Sequence, residues 1–164
     1  MKRIISFDSS TLILLAKTSL LREISANVKC VITCIVRDEC TRKDTYDSKI
    51  IKELLKEKLL EVADIKHNET EKIANDFGIQ DGEASALLLA VKEKCMLATD
   101  DRLALKACNI LNTEASTAIH FVVRAYKRKL IDKKSALEKT LILEKYGRYS
   151  SRIIEDAKKR IEGD

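Results

Sequence analysis

Apolar and polar residues follow two rhythms along the chain. Short, almost wholly apolar runs ("RIISF" at 3–7, "CVIT" at 30–33, "LLEVADI" at 59–65, "CMLA" at 95–98 and "ILN" at 110–112) have the length and β-branched content of buried strands. Between them lie stretches of helical period. One is predicted over 10–17, with a further short turn around 20–24. Another follows Thr33, a fair N-cap for "CIVRDECTR", and a third over 47–59 places Ile50, Ile51, Leu54, Leu55 and Leu59 on one stripe. "NETEKIANDFG" reads as a helix stopped by Gly78, "DGEASALLLAVKEK" as a helix apolar on nearly every side and hence buried, and "RLALKAC" as a helix after the fourth strand. Strands that alternate with helices at this spacing predict βαβ units: an α/β domain with a central, mainly parallel sheet and helices on both faces.

After Thr113 the pattern turns helical throughout, with Ala118, Ile119, Val122, Val123 and Tyr126, then Leu137 and Leu141, then Ile153, Ile154, Ala157 and Ile161. No linker, repeat or low-complexity tract divides the chain. A single domain over 1–164 is therefore expected, with 114–164 as a helical C-terminal extension. Proline is absent and only 4 glycines occur, so element boundaries rest on changes of pattern alone.

Composition narrows the class. With 35% charged and 45% hydrophobic residues over 164 positions, the chain can bury a core, and no apolar run is long enough to span a membrane. Lys2 and Arg3 precede too short an apolar run for a signal peptide, so a soluble cytoplasmic protein is expected. The 5 cysteines (Cys30, Cys34, Cys40, Cys95 and Cys108) are an odd set without paired C-x2-C ligands, which favours reduced thiols over a disulfide framework or structural zinc. Net charge is +5, but residues 124–164 carry 13 basic against 7 acidic side chains. That excess suits either a solvated helix face or attraction to nucleic acid phosphates.

The acids lie where the predicted strands end. In an open parallel sheet, ligands bind outside the carboxyl ends of the strands, and Asp8, Asp100 and Asp101 all fall there. Glu39, early in the helix after the second strand, and Glu83, in the first turn of the buried helix, belong to the same edge. Singly, each has a plain explanation: Asp8 and Asp101 as N-caps, Glu83 as a helix-dipole partner, Glu39 as an exposed helix residue. Together, carboxylates without cationic neighbours repel one another, and a hard divalent cation such as Mg²⁺ relieves that repulsion. Capping and metal-assisted phosphodiester hydrolysis therefore stand side by side as readings of this edge.

At these residues the sequence resembles the PIN-domain family, in its small prokaryotic branch of VapC-like toxins. The matching pieces are "FDSSTLILLAK", "VITCIVRDEC", "DGEASALLLA" and "LATDDRLAL", in the expected order. The resemblance implies a three-layer PIN-like fold and an acid cluster that binds Mg²⁺ or Mn²⁺ for RNA cleavage. By position it makes Asp8, Glu39, Glu83 and Asp101 the catalytic and metal-binding acids, with Asp100 the alternative to Asp101. Ser9 and Thr99 become supporting hydrogen-bonding residues. The chain departs from the family where Thr33 and Cys34 stand in place of the proline common after the second strand, and where glycines are missing near "ILNTEAS".

The function the resemblance implies is a metal-dependent endoribonuclease acting on RNA. It would be the toxin of a toxin–antitoxin pair, held by a small antitoxin protein. The alternative is a catalytically silent nucleic-acid-binding or regulatory PIN module; the intact set of acids favours the enzyme, because carboxylates repel a bound phosphate. A phosphatase or nucleotide-binding protein fits less well, since no glycine-rich phosphate loop occurs and neither Ser9 nor Cys34 has a histidine beside it in sequence. The apolar residues Val122, Val123, Leu137, Leu141 and Ile154 suggest a homodimer or antitoxin surface, or else the closing of the domain's own core.

Overall fold

In the computed structural model, which describes residues 2–163, the order is β1 (Ile4–Phe7), α1 (Ser9–Lys17), α2 (Leu21–Asn27), β2 (Lys29–Thr33), α3 (Cys34–Thr41), α4 (Tyr46–Lys56) and β3 (Leu60–Ala63). It continues with α5 (His67–Phe77), α6 (Asp81–Lys92), β4 (Met96–Ala98), α7 (Arg102–Ile110), β5 (Ala115–Ser116), α8 (Ala118–Lys127), α9 (Lys133–Tyr146) and α10 (Ser151–Glu162). The strands form one sheet in the order β3-β2-β1-β4-β5, and every pairing is parallel. No helix among the described residues is long and apolar enough to cross a membrane.

Both faces of the sheet are covered, which is why its strands read as continuous apolar runs. Successive residues of a strand point to opposite faces. In β1, Ser6 donates to the carbonyl of Ala86 on α6 at 2.8 Å, whereas the Phe7 ring stacks against Phe121 of α8 at 6.0 Å between centroids. Helix α6 thus lies on one face and α8 on the other. This explains the near-absence of a polar side on α6, where every residue from Ala84 to Ala90 is buried. Chain order along the sheet reverses at β1, with β2 on one side and β4 on the other. The crevice outside the carboxyl ends is therefore expected beside the end of β1, where Asp8 follows the strand.

Two expectations are corrected. "ILN" is not a strand: Ile110 ends α7 at 72% exposure, and Asn112 takes a left-handed backbone (φ 50) that closes the helix. The fifth strand comes later and is only Ala115–Ser116, so the segment after Thr113 is not wholly helical. Two residues are too few for a hydrophobic pattern to show.

The C-terminal helices pack on one another and on the domain. Val122, Val123 and Ile154 are buried and Leu137 lies against the core, so that of the five residues named as a possible interface Leu141 is exposed, as is Ile153 on α10. These helices close the protein's own core. All five cysteines are free thiols, and burial pushes Cys30 and Cys40 up to about 12 and Cys108 up to about 11, so they serve as small apolar groups.

Thr33 fixes α3 in the absence of a proline. Its hydroxyl accepts from the Val36 N–H at 3.2 Å and pairs with the Ser85 hydroxyl of α6 at 2.8 Å, with no solvent exposure. One side chain thereby sets α3 against α6, the two helices that carry Glu39 and Glu83. Replacing Thr33 by Val should cost about 1–2 kcal/mol in a urea titration, the usual worth of an N-cap, with Thr33→Ser close to wild type.

Candidate active site

Asp8 follows β1 without a break. Its N–H donates to the Ala98 carbonyl at 3.1 Å, which continues the pairing of β1 with β4, and its extended backbone sets it as the N-cap of α1. Oδ1 accepts from the Thr11 N–H at 2.9 Å and Oδ2 from the Thr99 hydroxyl. The residue is wholly buried. Burial raises its pKa from 3.8 to about 7; the hydrogen bonds from Thr99 and Thr11 act against that rise, and the Asp100 charge adds to it.

Thr99 joins the ends of two strands. Its hydroxyl donates to Asp8 and accepts from the Asp101 N–H at 3.2 Å. Asp101 caps α7, its Oδ1 accepting from Ala104 N–H at 2.8 Å, and no protein hydrogen bond among the described residues falls on its other oxygen. Asp100 is differently engaged. Its carboxylate accepts from the Thr11 hydroxyl at 2.6 Å, from the Ala118 N–H at 3.2 Å and from the Tyr149 hydroxyl. It ties α1, α8 and the α9–α10 elbow together.

Glu39 and Glu83 complete the edge. Glu39 is exposed on α3, and Ser9, the first residue of α1, donates its hydroxyl to Oε2. The Glu39 carboxylate lies across Gly82: a Cβ placed there would stand 2.5 Å from Oε2 and 2.8 Å from Oε1. Gly82 is thus a site of close approach, a role its place before Glu83 did not reveal. Glu83 reaches back to the Gln80 N–H at 3.0 Å in a capping box. Its pKa is raised, first by partial burial and then by the charges of Asp101 and Glu39.

The site closes as a circuit, part contact and part charge: hydrogen bonds join Asp8 to Thr99, Thr99 to Asp101 and Ser9 to Glu39, the Glu39 carboxylate lies against Gly82, Ser9 follows Asp8 and Gly82 precedes Glu83 in the chain, and the charges of Asp101 and Glu39 are felt at Glu83. None of the acids in it, nor Asp100, forms an ion pair with Lys or Arg among the described residues. The nearly buried Asp47 does, with Lys17 at 3.1 Å. Among the described residues, no group of three or more His, Cys, Asp or Glu side chains is arranged to hold a metal ion. The reason is visible in the partners: Glu83 is turned to its own helix, Glu39 to Ser9, and both oxygens of Asp8 accept protein hydrogen bonds. The donor set itself, all carboxylate and without cationic partners, fits a hard divalent ion such as Mg²⁺ or Mn²⁺ and not a soft one.

A parallel α/β domain whose topological switch point is an acidic crevice defines the class. The chain matches the family model DUF3368: PIN domain over residues 4–163 and belongs to the PIN-domain family. PIN domains are typically nucleases and commonly bind divalent metals. A search of curated proteins finds no match.

The raised pKa of Asp8 makes stability depend on pH. The unfolded chain releases this proton near 3.8 and the folded protein near 7, so in that interval the folded state holds the extra proton. Metal-free stability should fall as pH rises from about 4 to 7 and level off above that. Asp8→Asn keeps the cap and removes the titration. Thermal melts in EDTA should therefore show the variant gaining on wild type toward pH 8. A difference that stays constant with pH would mean that Asp8 ionises as an ordinary carboxylate.

Proposed function

We propose that the protein is a metal-dependent endoribonuclease, with Asp8, Glu39, Glu83 and Asp101 holding Mg²⁺ or Mn²⁺. The observation that carries this reading is the circuit of carboxylates at the switch point, none of which forms an ion pair with a lysine or arginine among the described residues. The bound ion would supply charge neutralisation and an activated water at the scissile phosphate. The chain's own groups do the positioning. Thr99 sets Asp8 and Asp101 relative to one another, Ser9 holds Glu39 at the start of α1, and the side-chain-free surface of Gly82 gives the Glu39 carboxylate room beside Glu83. Asp100 is a positioning residue in this scheme, because each of its oxygens accepts two hydrogen bonds, from Thr11, Ala118 and Tyr149, where each oxygen of Asp8 accepts only one. A toxin held by a small antitoxin is the physiological role proposed with it.

The alternative of a silent nucleic-acid-binding module draws on one observation: among the described residues no three of the acids are arranged to hold a metal ion. Metal binding separates the two readings. Mn²⁺ should raise the melting temperature of wild type, since a ligand that prefers the folded state stabilises it. Asp8→Asn and Asp101→Asn should each lose that rise and cut cleavage of a mixed-sequence single-stranded RNA by orders of magnitude. Asp100→Asn should lower stability through weaker hydrogen bonds while retaining most cleavage. A well-folded wild type that neither gains stability from Mn²⁺ nor cleaves RNA would leave the silent module.

A further inference from the structure

A cleft of about 740 Å³ runs from Glu83, Asp100 and Asp101 to the elbow between α9 and α10. Glu83 and Asp101 stand on its acidic side, and Lys17, Arg102 and Arg148 line it as well. Arg102 and Arg148 are exposed, and neither forms an ion pair or hydrogen bond among the described residues. Two free guanidinium groups thus share one opening with the candidate site. Lys17 is held in place by its pair with Asp47 and by the Tyr146 ring, whose centroid lies 4.8 Å from Nζ.

The elbow that presents Arg148 is built to one shape. A Cβ at Gly147 would stand 2.7 Å from the Leu143 carbonyl and 2.8 Å from the Tyr149 ring, so the tight turn needs a glycine there. On the other side of Arg148, the Tyr149 hydroxyl donates to Asp100 and accepts from the Ile119 N–H at 3.2 Å. Arg148 is therefore fastened, through its neighbours, to the strand end that carries the acids.

We propose that this cleft is the track for the substrate's backbone: Arg148 and Arg102, with Lys17, bind phosphates of a single-stranded RNA next to the scissile bond, and Tyr149 is the positioning residue that holds Arg148 there. The proposal takes its substrate from the ribonuclease reading. Guanidinium groups pair well with phosphate oxygens, and such contacts set register without reading sequence.

Binding can be measured apart from cleavage, by the anisotropy of a labelled mixed-sequence 12-nucleotide RNA (an illustrative length, of the order of the ~4–16-nucleotide sites of single-strand binders) in EDTA over a salt series. Arg148→Ala and Arg102→Ala should each weaken binding several-fold and reduce the slope of log K against log salt by about 0.7, the value for one phosphate contact on a single strand. Tyr149→Phe should weaken binding in the same direction with Arg148 still present, and Lys134→Ala, on α9, should leave it unchanged. Equal losses from Lys134→Ala and Arg148→Ala would mean a diffuse basic surface and overturn the track. If Asp8→Asn abolishes cleavage while the Arg148 and Arg102 variants bind as wild type, the ribonuclease reading stands and the track falls. Arg148-dependent binding by a wild type that cleaves nothing would support the track and remove the catalytic reading. A wild type that does not bind the RNA overturns the track.

Discussion

A carboxylate sits at the end of the central strand with no contact with solvent, and the remaining features of the site follow from keeping it there. Burying a charge is costly unless something compensates it. Asp8 has neutral donors for this, the Thr11 N–H and the Thr99 hydroxyl, and they offset only part of the burial penalty, since its pKa still rises to about 7. The group therefore favours a proton or a nearby cation. Thr99 cannot move without disturbing Asp101, whose N–H its hydroxyl also accepts, and Asp8 cannot move without breaking the pairing of Phe7 with Ala98. The place of Asp8 is thus set by the sheet.

Adjacent aspartates at the end of β4 divide two tasks. Asp101 caps the helix that follows, while Asp100 gathers donors from α1, α8 and the elbow before α10. Tyr149 suits this work, because burial and the Asp100 charge push its hydroxyl well above its ordinary pKa and keep it a donor. The C-terminal helices, which carry the basic excess of the chain, are thereby fastened to the acidic edge of the sheet.

How much of this was legible in the sequence depends on side-chain period and on the length of each element. The strands β1 to β4 and the buried helix α6 were legible, because residues covered on both faces leave unbroken apolar runs. Helix ends were harder to place, for a reason the backbone supplies. Ser19, Lys58, Lys94, Asn112 and Lys129 all take the left-handed conformation usually given to glycine. Each is followed by an N–H that reaches back five residues, as from Leu59 to Leu54 and from Cys95 to Ala90. A lysine in that position gives no sequence signal. The placement of the acids at strand ends could be read from pattern, but what Asp100 and Asp101 each bind within the protein could not. Their different partners, Tyr149 and Ala118 for one and Ala104 for the other, lie up to 49 residues away.

Capping does not by itself exclude a second role for the same carboxylate once individual oxygens are considered. A cap uses one carboxylate oxygen: Oδ1 of Asp8 for α1, Oδ1 of Asp101 for α7, Oε2 of Glu83 for the start of α6. Each of these acids consequently sits at a helix N-terminus, where the partial positive charge of unpaired N–H groups favours an anion. Three helix ends pointing at one edge soften the repulsion among carboxylates that no lysine or arginine among the described residues neutralises. Glu39 is the exception that supports the argument. It lies beyond the first turn of its own helix, α3, and is the acid of the circuit that stays exposed; its carboxylate rests instead at the starts of two other helices, on the Ser9 hydroxyl of α1 and the open face of Gly82 in α6.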